Sequence, residues 1–258
     1  MDHPRPDAEV RVGSIETTFE LVTALKELGG GGVSEVAAHL GIPKTTVYDH
    51  LETLSELEYV VRTEDETYEI GPRFLDLGGY ARKQMKIYQV GKPEIRDLAV
   101  NTGEHTNIMI EEHGRGVYLY KFKGEDAVQL DTYAGLHLPI QTTALGKSIL
   151  SRLPRKRVDS IIDRYGMPAI TENTITDRAE LHDELETIRE RGYATDEGER
   201  VEGMRCVAAS ITDSEDDPLG AISVSGPKNR IQGDRFHEEI PSKVLRAANV
   251  IEVNITFS

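Results

Sequence analysis

Lys44, Thr45, Thr46, Tyr48 and His50 fall within seven positions of one another. They are donors and acceptors of the kinds that meet phosphate oxygens and base edges. Arg62 stands at the edge of a polar turn with the charge to touch a phosphate, and a solvated strand residue is the other reading of it. Chemistry is sparse elsewhere. Cys206 is the only cysteine, which excludes an internal disulfide and a cysteine-rich zinc module. An enzyme using Cys206 as nucleophile would need a lowered thiol pKa and a histidine base. The residue instead lies in a strand-like run, and no motif sets a histidine beside it. His105, His113 and His137 are scattered and lack clustered carboxylates, so neither a metal nor another cofactor is expected.

A pair of short amphipathic helices must position the first group. Apolar residues at Val33, Val36, Ala37 and Leu40, then at Val47, Leu51, Leu54 and Leu57, give each helix one buried stripe. Gly41 supplies a turn residue without a Cβ, Ile42 plugs the corner and Pro43 enters the second helix. The spacing predicts a helix-turn-helix whose second helix presents the five polar residues, with an ordinary αα-corner as the plain alternative. Upstream, Ser14 can cap a helix running to about Leu28, with Ile15, Phe19, Val22, Leu25 and Leu28 on one face and four glycines after it. Downstream, Tyr59 to Arg62 and Tyr68 to Ile70 flank a charged turn and read as a hairpin. Three helices and a hairpin make a winged helix, expected over residues 1–72.

Residues 73–88 read as a linker helix whose Phe74, Leu75, Leu77 and Tyr80 would bury against a partner or the winged domain. The pattern changes over 89–258. A helix to about Thr102 precedes a hairpin of 106–110 and 116–122, and a strand near Leu136 to Gln141 runs into a helix starting at Thr142. Helices over 154–165 and 177–191, strands over 193–196, 206–212 and 219–225, and a last helix over 234–251 complete the chain. The whole is expected to be α+β, its second domain an antiparallel sheet with flanking helices.

At 258 residues the chain has room for two domains with separate cores. No apolar run is long enough to span a membrane and the N-terminus lacks the order of a signal peptide, so a cytoplasmic protein is expected. The net charge of −15 is unusual for a nucleic-acid binder, and residues 1–90 themselves hold nine Lys and Arg against sixteen Asp and Glu. Spread acidity, more arginine than lysine and no tryptophan resemble the composition of salt-accumulating halophiles. The other reading of the acidity is a sensor that acts through protein partners without touching DNA.

The sequence resembles the IclR family of transcriptional regulators over nearly its whole length, as in a halophilic archaeon. The resemblance rests on the helix-turn-helix, on Tyr68-Glu-Ile-Gly-Pro-Arg-Phe-Leu-Asp-Leu-Gly78 and on Thr143-Ala-Leu-Gly-Lys147. Gly192-Tyr-Ala-Thr-Asp-Glu197 with Gly203 and Cys206, and Gly220-Ala-Ile-Ser-Val-Ser-Gly-Pro227, carry the rest of it. It implies a winged helix joined to a GAF-like effector domain, in dimers or dimers of dimers that bind operator DNA and regulate catabolic genes. It also implies an effector pocket formed by Ala144, Leu145, Asp196, Cys206, Ser223 and Ser225. Helix-start N–H groups and two hydroxyls on one strand suit a small organic anion, and Asp196 suits an effector bearing hydroxyls, such as a sugar acid.

Overall fold

The computed structural model describes residues 9–257, which fall into two compact units dividing between Ala81 and Arg82. The first unit holds α1 (Gly13–Leu28), α2 (Val33–Leu40), α3 (Lys44–Glu56) and an antiparallel hairpin of β1 (Val60–Arg62) and β2 (Tyr68–Ile70). Most of α4 (Arg73–Gln84) follows in the same unit. The apolar stripes meet as expected: Val36 and Ala37 of α2 pack with Val47, Leu51 and Leu54 of α3, and Val60 and Tyr68 of the hairpin close the core. Gly41 makes the turn between α2 and α3 at φ +68°, a conformation in which a Cβ is strained.

α1 buries a different face from the one its apolar residues suggest. Leu21, Ala24 and Leu25 are interior, while Ile15 and Phe19 are 57% and 60% exposed. At 3.6 residues per turn the stripe of Leu21 and Leu25 continues backwards through Thr18 and Ser14, leaving Ile15 and Phe19 on the neighbouring face. The helix begins at Gly13 after an uncapped Val12. Ser14 therefore sits inside the helix, where its carbonyl accepts the Thr18 hydroxyl.

In the second unit α5 (Lys86–Thr102) starts inside the span expected for the linker helix, after Met85 breaks the helix in an extended conformation. The strands are β3 (His105–Glu112), β4 (Arg115–Lys123), β5 (His137–Pro139), β6 (Ala194–Asp196), β7 (Met204–Thr212) and β8 (Pro218–Pro227). They form one antiparallel sheet in the order β5-β4-β3-β8-β7-β6. Between β5 and β6 run α6 (Ala144–Leu150), α7 (Arg155–Tyr165) and α8 (Arg178–Arg191), and α9 (Ile240–Thr256) ends the unit. Alternation along the strands splits the core in two. Ile108, Val207, Ala209, Ile222 and Val224 pack with α5 and α9, whereas Met109, Cys206, Ala208 and Ala221 pack with α6, α7 and α8. Ser223 and Ser225 keep step with Ala221 and so face α6. No described helix is long and apolar enough to cross a membrane.

Candidate functional site

α3 carries the first polar group at its N-terminal end. Lys44, Thr45 and Tyr48 are exposed and Thr46 is half-buried. Lys44 forms no ion pair among the described residues, and the first turn of α3 holds no carboxylate. His50 lies apart from them, its Nδ1 2.9 Å from the Thr18 hydroxyl of α1, where it props the packing of α1 on α3. Arg62 is already neutralised. It donates to Glu66 at 3.1 Å and lies 3.5 Å from Glu52, whose carboxylate also accepts the Tyr68 hydroxyl at 2.5 Å. Burial, then Glu52, pushes the Tyr68 phenol up to about 12. Asp49 is a residue that sequence reasoning passed over: it is exposed one turn beyond Thr45. A carboxylate there repels phosphate but accepts from a cytosine amino group.

In the second unit a cleft of about 450 Å³, counting its open mouth, lies on the α6 side of the sheet. Leu145, Asp196, Cys206 and Ser225 line it together with Asn107, Tyr118, Thr143 and Arg200. Strand register explains the gathering. Asp196 stands opposite Cys206, and Cys206 opposite Ser225, in one row across β6, β7 and β8. Ala144 and Ser223, expected with them, are wholly buried and do not line the cleft. Ala144 packs in the core beside Met109 and Ile140. The Ser223 hydroxyl accepts from Asn107 Nδ2 at 3.2 Å and so holds a lining residue in place.

The Thr143 hydroxyl caps α6 by accepting the Gly146 amide at 3.0 Å, and its carbonyl accepts the Lys147 amide at 2.9 Å. Gly146 is required there, because a Cβ would fall 1.7 Å from the Ile140 carbonyl oxygen. Two arginines line the cleft, both missed by sequence reasoning: Arg205 is held by Glu197 at 2.6 Å, which leaves Arg200 as the one whose charge is not already met. Arg200 Nη1 donates to the Tyr118 hydroxyl at 3.3 Å, its guanidinium lies 5.6 Å from that ring's centre, and it forms no ion pair among the described residues. The available signal was one arginine four residues after Asp196 in an acidic loop.

Burial raises the Asp196 carboxyl above its usual range, against the opposing pull of the Glu199 amide at 2.7 Å, Lys147 and Arg200. Burial, then Asp196, also pushes the Cys206 thiol up, so Cys206 is a small neutral wall rather than a thiolate. Beneath the cleft Lys147 is 2% exposed at its side chain, 2.5 Å from Glu199 and 3.6 Å from Glu184. Burial lifts the Glu199 carboxyl to about 7, with Lys147 pulling it back. Among the described residues no group of three or more His, Cys, Asp or Glu side chains is placed to hold a metal ion.

A helix-turn-helix unit joined to a separate sheet unit with a polar cleft defines the class of DNA-binding regulators that carry a sensing domain. Residues 80–253 match the model of the C-terminal domain of bacterial IclR transcriptional regulators, and residues 14–64 match the IclR helix-turn-helix domain. The chain belongs to the IclR family of transcriptional regulators. It is 32% identical to the probable HTH-type transcriptional regulator ArcR of Halobacterium salinarum, over 95% of this chain and 94% of that one. The crystal structure of the Thermotoga maritima IclR superimposes with a TM-score of 0.77 at 28% identity, covering 94% of this chain and 98% of that one. The fold is also that of an IclR homologue from Microbacterium hydrocarbonoxydans complexed with 4-hydroxybenzoate, with a TM-score of 0.77, 20% identity, and 93% and 100% of the two chains covered.

Proposed function

We propose that α3 reads operator DNA of catabolic genes, and that a small hydroxylated carboxylic acid in the cleft changes operator affinity. The observation that carries the ligand class is the pairing of Arg200, a cation without a carboxylate partner, with the polar Asp196, Asn107, Ser225 and Thr143 around one cleft. A guanidinium takes the carboxylate end, and the remaining groups exchange hydrogen bonds with hydroxyls. Asp196, with its raised pKa, suits a hydroxyl better than a second anion. The Microbacterium homologue's 4-hydroxybenzoate carries the same two functions. Effector binding shifts operator affinity only through unequal affinity for two states of the protein.

On this reading Lys44, Thr45, Thr46, Tyr48 and Asp49 meet DNA directly, while His50 and Arg62 support the reading unit. Homodimers, or dimers of dimers, are supported by the apolar residues that unit leaves in water, with Leu75 77%, Tyr80 67% and Phe19 60% exposed. Two such heads would read half-sites a helical turn, or a multiple of it, apart. A sheet with helices on both faces supports a GAF-like sensing domain, and the acidic surface with the Halobacterium relative supports a salt-rich archaeal cytoplasm. A sensor acting without DNA is favoured by one observation, the carboxylates Asp49, Glu52 and Glu56 on α3. Titrating hydroxylated carboxylic acids into the full chain by calorimetry, with and without operator, tests the proposal. Saturable binding that shifts operator affinity supports it, and acids that bind equally well after Arg200→Gln overturn it.

A further inference from the structure

A second opening lies beside the cleft, and both are lined by residues of the strap 129–134. It is a wider groove lined by Arg82, His105, Lys121 and Lys123, with strap residues and Tyr120 completing it and no carboxylate in the lining. Sheet register puts His105, Lys121 and Lys123 on one face, while Arg82 reaches the groove from α4 beside Tyr88. His105 stands opposite Lys123, and Asn107 opposite Lys121, so these residues share the face on which Ser225 and Cys206 line the cleft. In a chain of 45 acidic and 30 basic residues, Arg82, Lys121 and Lys123 form no ion pair among the described residues.

The bonds these groups do make leave charge and a lone pair unspent. Arg82 donates to the Leu119 carbonyl at 3.3 Å and its guanidinium lies 4.8 Å from the centre of the Tyr88 ring, while its Nε is buried with no partner. Lys121 donates to the carbonyls of Leu130 at 3.0 Å and Thr132 at 3.4 Å. Burial, then Arg200 and Lys123, pushes its ammonium below the ordinary range, and Asp131 is the weakest of the influences on it. His105 is 1% exposed and its Nε2 bonds the Val128 carbonyl. A carbonyl only accepts, so Nε2 carries the proton and Nδ1, buried without a partner, is left as an acceptor.

We propose that this groove is a second ligand site, distinct from the effector cleft, and that it takes a phosphoryl group. Three cations lining one groove suit a compact group that carries nearly two charges at neutral pH. The free acceptor on His105 suits the one oxygen of inorganic hydrogen phosphate that still bears a proton, which the dianion of a phosphate ester lacks. A carboxylate offers neither feature. The two sites share a wall: Leu130 lines both, and Thr132, whose carbonyl Lys121 holds, lines the cleft. A phosphoryl group drawing on Lys121 competes with these carbonyls, so groove and cleft are linked through the strap.

The test is calorimetric titration of inorganic phosphate into the full chain at fixed KCl, repeated with sulfate, acetate and glycerol phosphate. Saturable binding of one phosphate per chain is expected, several-fold weaker after Lys123→Gln and at least tenfold weaker after Lys121→Gln with Lys123→Gln. Lys123 is exposed and forms no ion pair among the described residues, so its replacement leaves the fold intact, and unchanged thermal unfolding checks this. Sulfate, which has no proton to give His105, should bind more weakly than phosphate, and acetate should not compete. Glycerol phosphate, whose dianion like sulfate has no proton to give His105, should bind more weakly than inorganic phosphate, and equal or tighter binding overturns the pairing with His105. The proposal is overturned by absence of saturable binding, by binding that survives both lysine changes, by sulfate matching phosphate, or by loss after Ser225→Ala, which would put the anion in the cleft. Its failure leaves the effector reading untouched, because that reading is tested with carboxylic acids and Arg200→Gln.

Discussion

Replacing Lys147 by methionine keeps most of the buried volume and removes the ammonium 2.5 Å from Glu199. The consequence depends on pH in a way the site fixes. Burial lifts the folded Glu199 carboxyl to about 7, against an ordinary value of 4.5. The folded state therefore binds a proton more readily than the unfolded chain, and this group's contribution to stability falls as pH rises from about 4.5 to about 7. Lys147 opposes that shift, so without it the folded carboxyl titrates higher still. Below 7 the carboxyl is protonated in both proteins and the loss is modest. Above 7 the wild-type carboxylate is held by Lys147 while the variant must keep its proton, and the deficit grows by about 1.4 kcal/mol per pH unit. It is capped at the roughly 3–5 kcal/mol of a broken buried pair. Between pH 6 and pH 8.5 the extra loss is about 2 kcal/mol, or roughly 4–8 °C in Tm for a unit of this size. Thermal unfolding of the full chain by circular dichroism at the two pH values, in one KCl concentration, measures it. An equal loss at both, or none at pH 8.5, would refute the reasoning.

Arg200→Gln should weaken binding of a hydroxylated carboxylic acid roughly 10- to 100-fold, the scale of one charge-assisted hydrogen bond, with unfolding unchanged. Calorimetry reads this. Cys206, buried with its thiol pushed up, should resist alkylation in the native protein and react fully in denaturant, as mass spectrometry can count. Lys44→Ala should lower operator affinity on the order of tenfold and change the log–log salt slope by about 1. Arg62→Ala should change operator affinity less than about threefold, because Glu52 and Glu66 already hold that charge. Fluorescence anisotropy on labelled operator compares the two variants.

The reading unit was legible because its signals are local. Period and a glycine turn define the helix-turn-helix without reference to distant residues, and Val36, Val47 and Leu51 are buried as that pattern requires. The same logic misplaced the face of α1, because helical phase is set by the partners the helix meets, and Leu21 rather than Phe19 meets them. The cleft was half legible. Ser225 could be placed by strand period, but which serine reaches the opening is decided by Asn107, more than a hundred residues away, taking the Ser223 hydroxyl. Arg200 stayed hidden because nothing in an acidic loop distinguishes an arginine facing a cleft from one facing water. The groove of Arg82, His105, Lys121 and Lys123 was invisible for a similar reason: its charges converge only through strand pairing and the return of the strap.

The most direct measurement is anisotropy of the full chain on DNA from upstream of its own gene, against a scrambled competitor, across a KCl series with and without Lys44→Ala. Sequence-specific binding is expected, weakened on the order of tenfold in the variant. Its affinity should stay flat or rise with KCl over part of the range, as salt screens an acidic protein from phosphate. Absence of sequence-specific binding at every KCl concentration would contradict the central claim that α3 is the reading head of a ligand-controlled regulator.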